Sequence, residues 1–136
     1  MLQNEAEPLV RLKEELDFVG MYVDLLQVRF ADGFTVRREI DERALTRSLV
    51  PCSIQLLIEN AIKHNAVDAA APLEIRITVT TDSVTVTNNL RPKLSASASS
   101  TRVGLNYIRQ QYLDLADRPI GICRTETEYR VTLPLL

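Results

Sequence analysis

Between Leu73 and Val86 the apolar residues occupy alternate positions: Leu73, Ile75, Ile77 and Val79, then Val84 and Val86. Polar residues fill the sites between, and Thr81-Asp82-Ser83 separates the two runs. This spacing predicts a β-hairpin with one apolar and one wet face. A sheet with a single apolar face must be covered, and helices are the usual cover. The chain supplies them. Leu9, Leu12, Leu16, Val19, Val23, Leu26 and Phe30 recur in steps of three and four, which predicts a helix over about residues 8 to 30 with Pro8 in its first turn. Phe18, Met21, Tyr22 and Leu25 add a second apolar flank, so this helix either packs inside the domain or pairs with another helix. Ile54, Leu57, Ile58, Ala61 and Ile62 mark a second helix beginning at Pro51. Gly104, Leu105, Ile108, Tyr112 and Leu115 mark a third.

The remaining segments complete a sheet. Ala31-Asp32-Gly33 is a turn, after which Phe34, Val36 and Ile40 read as a strand whose other face is kept wet by Arg37 and Arg38. Asp41 caps a short helical turn reaching Arg47. Ile120 and Ile122, then Tyr129, Val131, Leu133 and Leu135, form a second hairpin around Glu126. From Leu90 to Thr101 there is no periodicity, and a loop of that length inside a domain is usually functional. The order α-β-α-β-β-loop-α-β-β gives an α+β chain, a two-layer α/β sandwich whose mixed or antiparallel sheet carries helices on one face.

Composition removes several function classes. At 136 residues, 46% hydrophobic and 25% charged, the chain suits one globular domain. Sixteen basic against eighteen acidic residues give a net charge of −2, which argues against a nucleic-acid partner. No apolar run approaches the ~18–20 residues of a membrane span. The single histidine, His64, excludes sites built from several histidines, and two distant cysteines, Cys52 and Cys123, are expected to be reduced structural thiols.

Three stretches carry polar chemistry. On the second helix, Asn60, Lys63 and His64 fall at i, i+3 and i+4 and project together. An amide oxygen suits a hard cation, and a lysine one turn on suits phosphate; a solvated face with a Glu59–Lys63 pair accounts for the same residues. Ser100 to Leu105 places small residues and Gly104 at a helix N-terminus, where free amides favour phosphate, although close packing also calls for glycine. Val84 to Leu90 runs a strand into Asn88-Asn89, either a turn or a pair of amides able to read a base edge.

Pro51 to Asn65, with ENAIKHN at its centre, resembles the N box of bacterial sensor histidine kinases of the LytS type. LVRLKEELDFVGMYVDLLQVRF is similar to the segment before that box, VGLNYIRQQYLDL falls at the second glycine box, and RVTLPLL matches the closing strand. The resemblance covers about residues 8 to 136 and implies the Bergerat ATP-binding fold, with transfer of the ATP γ-phosphate to a histidine on a separate domain. It implies a nucleotide site of Glu59, Asn60, Lys63, His64, Asn88, Gly104 and Leu105. Within it Asn60 holds Mg²⁺ and Lys63 meets phosphate as the catalytic pair, and His64 lies beside the phosphates. Asn88 stands where relatives carry an adenine-binding aspartate, Gly104 is the surviving glycine of the second box, and Leu90 to Thr101 is the ATP lid.

The phosphoacceptor motif of the family is missing from the chain. The resemblance therefore implies a catalytic portion of a longer sensor, cytoplasmic and attached to an inner-membrane protein. Residues 1–30 would link to the phosphoacceptor-histidine domain and 31–136 would form the ATP-binding domain. The implied partners are that domain, a response regulator and a second copy of the chain. Leu90, Lys93 and Arg102 stand where relatives often have glycine, and Asn106-Tyr107 departs from the usual order. An alternative reading follows from these changes: a non-catalytic nucleotide-sensing or dimerising module.

Overall fold

The computed structural model describes residues 8–91 and 98–136 of the chain, with side chains described outside 98–103. Helix α1 spans Leu12–Phe30, α2 Ser53–His64 and α3 Ala98–Ala116. The strands are β1 (Val10–Arg11), β2 (Phe34–Ile40), β3 (Ser48–Leu49), β4 (Leu73–Val79), β5 (Ser83–Asn89), β6 (Gly121–Arg124) and β7 (Glu128–Pro134). Five of them form one mixed sheet in the order β2-β4-β5-β7-β6; β1 and β3 pair apart from it. β2 and β4 run parallel, with Phe34 opposite Leu73 and Ile40 opposite Val79, and the other pairs are antiparallel. The long crossover between β2 and β4 carries α2, as parallel neighbours require.

The alternation read from the sequence is the burial pattern of the sheet. Leu73, Ile75, Ile77, Val79, Val84, Val86, Val131 and Leu133 all face the helices and are buried. Every residue of the α2 stripe, from Ile54 to Ile62, joins the same core, together with Leu12, Leu16 and Val19 of α1 and Leu105, Ile108 and Tyr112 of α3. At 20–30 cal/mol per Å² of apolar area, this shared core is what holds the two layers together. The α+β sandwich with helices on one face is therefore the observed architecture.

Four local expectations are corrected. Helix α1 begins at Leu12, not near Pro8, because Val10 and Arg11 are extended and pair with Leu49 and Ser48. Arg38 lies on the helix side of β2, where period two puts it with Phe34 and Ile40, and its guanidinium donates to the Leu16 carbonyl at 3.4 Å. Helix α3 starts at Ala98, so the stretch read as a loop to Thr101 ends in helix, and Gly104 sits inside the helix rather than at its N-terminus. Small residues such as Ala and Ser gave no apolar period there, yet Ala favours helix strongly. Residues 92–97 of the expected lid lie outside the described residues. Finally, Cys52 and Cys123 are both free thiols, as expected, but they are exposed rather than packed in the core.

Candidate functional site

Helix α2 organises the site. Its apolar stripe locks onto the sheet, which leaves Glu59, Asn60 and His64 half-buried and Lys63 exposed along its other side. No side chain of its own caps its first turn: Cys52 sits in the left-handed region at φ 64°, and the Ser53 hydroxyl donates to the Val50 carbonyl at 2.8 Å. Glu15 of α1 caps it instead. Its Oε1 accepts from the Cys52 amide at 3.0 Å and its Oε2 from the Ile54 amide at 3.1 Å, a carboxylate matched to the positive end of a helix dipole. Burial raises the pKa of this carboxyl, and those backbone hydrogen bonds pull it back down. The nearby charges of Glu15 and Glu59, after burial, raise the Cys52 thiol.

The far end of α2 is anchored as well. Asn65 is buried; its amide nitrogen donates to the Ala61 carbonyl at 2.8 Å and its oxygen accepts from the Arg91 amide at 2.8 Å. The Ala66 amide returns to the Arg91 carbonyl at 2.6 Å. Asn65 therefore fixes where the chain leaves the sheet toward residues 92–97.

Asn60 and Gly104 meet where α2 faces α3. A Cβ built on Gly104 would lie 3.5 Å from both Nδ2 and Oδ1 of Asn60, so the glycine leaves open the space over that carboxamide. Leu105, next along α3, points into the core instead. Asn88 is a strand residue, not a turn residue: it is 4% exposed, opposite Ile75 and Tyr129 in the sheet. Its amide nitrogen donates to the Asn89 carbonyl at 2.8 Å. Only nitrogen can donate to a carbonyl, so this bond fixes the amide orientation and leaves Oδ1 as an acceptor. Asn89 is committed to structure, its oxygen accepting from the Glu74 amide at 2.7 Å.

Burial above all, then the nearby Glu59 charge, push the pKa of the Tyr22 hydroxyl on α1 up to about 12. Glu15 and Asn65 were not among the site residues singled out from the sequence. Glu15 had a signal: it falls at i+3 from Leu12, on the apolar stripe of its helix, where an unpartnered carboxylate is costly. A small open hollow lies on the outer face of the sheet, among Arg37, Glu74, Arg76, Thr87, Asn89 and Glu128. It is on the side away from α2 and contains none of Glu59, Asn60, Lys63, His64, Asn88, Gly104 and Leu105, so the chemistry is sought at α2 and α3. Among the described residues no three acidic, histidine or cysteine groups cluster as a metal site, and no helix is long and apolar enough to cross a membrane.

No protein-family model matches the chain. Over 104 residues, 76% of its length, it is 34% identical to the sensor protein kinase HptS of Staphylococcus aureus strain USA300. The chain spans only 18% of the length of that relative, and the same holds for HptS of other S. aureus strains. Among solved structures it superposes on the cytoplasmic segment of histidine kinase QseC with a TM-score of 0.65 at 14% identity, covering 99% of this chain and 80% of that one. The catalytic domain of histidine kinase ThkA, free of nucleotide, gives a TM-score of 0.64 at 19% identity and 93% coverage of both chains. The chain thus has the fold of histidine kinase catalytic domains, and over those 104 residues it is similar in sequence to a sensor protein kinase.

Proposed function

We propose that the chain binds ATP with Mg²⁺ between α2 and α3 and directs the γ-phosphate to a histidine on a separate domain. The observation that carries this reading is the bare Gly104 backbone against the Asn60 carboxamide, a cradle that a methyl group would fill. The donor set fits: with no cluster of three acidic, histidine or cysteine groups among the described residues, a hard cation at Asn60 would be shared between one amide oxygen and phosphate oxygens. Bound ATP–Mg²⁺ would supply the phosphoryl group and screen its negative charge.

The residues of the chain bind and orient. Asn60 offers its Oδ1, Lys63 one turn later sets a mobile positive charge at the phosphates, and His64 stands beside it. Asn88, its nitrogen spent on the Asn89 carbonyl, turns its oxygen toward acceptor duty at the floor of the sheet, suited to the amino group of adenine. Glu59, next to Asn60 on α2, and Leu105, packed in the core, flank this site. The chain gives no nucleophile; the attacking imidazole comes from the partner domain.

The exposed side of α1 supports the partner reading. Phe18, Met21, Leu25 and Val28 are spaced three and four apart and are 47%, 61%, 72% and 85% exposed. That is the seam of a helix meant to pair. We assign residues 1–30 to the link with a phosphoacceptor-histidine domain, residues 31–136 to the ATP-binding domain, and a second copy of the chain as a further partner. A response regulator would take the phosphate onward. The whole protein would then be a sensor of the inner membrane, with this domain in the cytoplasm.

Calorimetric titration tests the core of the reading. The parent is expected to bind ATP–Mg²⁺, and Asn60→Ala to lose the Mg²⁺-dependent part of the affinity while keeping its fold, since Asn60 leaves no core cavity. Equal binding by parent and variant, or none by the parent, rejects it.

A further inference from the structure

A polar strut ties α1 to α2. It is Glu15, 4% exposed, whose two carboxylate oxygens take the amides of Cys52 and Ile54. No group of α2 substitutes for it. Cys52 makes no side-chain cap, its left-handed φ of 64° costs energy in a residue with a Cβ, and Ser53 spends its hydroxyl on Val50.

We propose that Glu15 is a positioning residue for the nucleotide site: by holding the first turn of α2 from α1, it makes the placement of Asn60 depend on the placement of α1. The inference rests on the nucleotide-site reading of α2 and adds a route into it. A helix is stiff over twelve residues, so a shift at its capped end moves every side chain on it, Asn60, Lys63 and His64 included. Any partner that displaces α1 would release the cap or drag α2 along. Binding at the site and the state of α1 are then linked in both directions.

The test uses Glu15→Gln, which keeps the shape but offers one acceptor where two amides need them. Amide hydrogen exchange and the NMR resonance of the Asn60 side-chain amide are read alongside ATP–Mg²⁺ titration. The variant is expected to stay folded, to lose protection at Cys52 and Ile54, to shift the Asn60 resonance, and to bind ATP–Mg²⁺ at least fivefold more weakly. Val84→Ala, which removes core methyl groups at the far end of β5, is expected to lower stability with affinity unchanged, which separates positioning from stability alone. Unchanged affinity in a Glu15→Gln protein that has lost protection at both amides overturns the proposal, and so does full retention of that protection. Should the parent bind no ATP–Mg²⁺, the function fails separately, and the Asn60 resonance decides: unmoved by Glu15→Gln, it ends the coupling; shifted, it upholds it. If Glu15→Gln does not fold, Glu15→Asp, whose shorter side chain draws the carboxylate back from both amides, takes its place, and an Asn60 resonance that stays put there is equally fatal.

Discussion

Gly104 faces Asn60 so closely that a methyl group on it would touch both polar atoms of the carboxamide at 3.5 Å. That distance is ordinary contact, so Gly104→Ala meets no clash. Alanine in a helix interior gains about 0.5–1 kcal/mol over glycine. The same methyl occupies the space in which a cation and phosphate would approach Asn60. Gly104→Ala is therefore expected to raise stability by up to about 1 kcal/mol and to weaken ATP–Mg²⁺ binding tenfold or more. Urea denaturation and calorimetry on one preparation check both, and movement of the two quantities in the same direction removes Gly104 from the site.

Asn88→Asp sets two effects against each other. A carboxylate accepts the adenine amino proton in a charge-assisted bond, which contributes about 1 kcal/mol more than the amide, close to fivefold in affinity. In the folded protein, however, the aspartate loses the bond to the Asn89 carbonyl and sets an anion 2.8 Å from that oxygen in a buried position. The expected cost is about 1–3 kcal/mol of stability. ATP binding should tighten while GTP binding does not, because guanine carries an oxygen where adenine has its amino group. Equal gains for both nucleotides, or none, would place Asn88 outside the adenine site.

The sheet and the α2 stripe were legible because period two and period 3.6 are written directly in Leu73 to Val86 and in Ile54 to Ile62. What escaped had no period to show it. The start of α3 is small and polar, and the pairing of Val10 with Leu49 joins residues far apart in the chain. The site divides in the same way. Asn60, Lys63 and His64 share one helix and could be grouped by spacing alone. That Gly104 would meet Asn60, or Glu15 the amide of Ile54, depends on how three helices pack, and no local spacing encodes it. Glu15 on an apolar stripe was the one readable hint, since a carboxylate there must find donors.

Tyr112 offers a pH test of the junction where the three helices meet. It is fully buried, and its hydroxyl makes no well-formed hydrogen bond, although the Val50 backbone and Ser53 lie near it. Burial, above all, pushes its pKa up to about 12. An unfolded tyrosine titrates near 10. The folded state thus holds the proton more tightly; stability from this group is complete below pH ~10 and is lost as pH rises through about 12. The loss approaches 2–3 kcal/mol, at about 1.4 kcal/mol per unit. Tyr112→Phe removes an unpaired buried hydroxyl, so at neutral pH it should be neutral or stabilising by up to about 1 kcal/mol. Above pH ~10 the variant should fall away less steeply than the parent in urea titrations; parallel pH profiles would show that this hydroxyl is not held protonated by the fold.

Arg47 carries the last prediction. Its guanidinium donates to three backbone carbonyls: Leu136 at 3.2 Å, Thr81 at 2.9 Å and Leu135 at 2.9 Å. It thereby binds the β4–β5 turn to the end of the final strand, with Asp82 3.7 Å away as a further, more exposed partner. The three bonds diverge, and a planar fork of donors can serve them together where a single ammonium cannot. Arg47→Lys is expected to lose most of the stability that Arg47→Ala loses, about 1.5–3 kcal/mol for bonds to a charged donor in a half-exposed site. The Asp82 pair adds little, because exposed ion pairs contribute about 0–1 kcal/mol. Asp82→Asn should consequently be close to silent, and raising the salt concentration should leave the Arg47→Ala deficit nearly unchanged. The turn lies away from Asn60 and Gly104, so ATP–Mg²⁺ affinity should stay at the parent value in both arginine variants. A lysine that restores full stability would mean the contact is one of charge rather than of fork geometry.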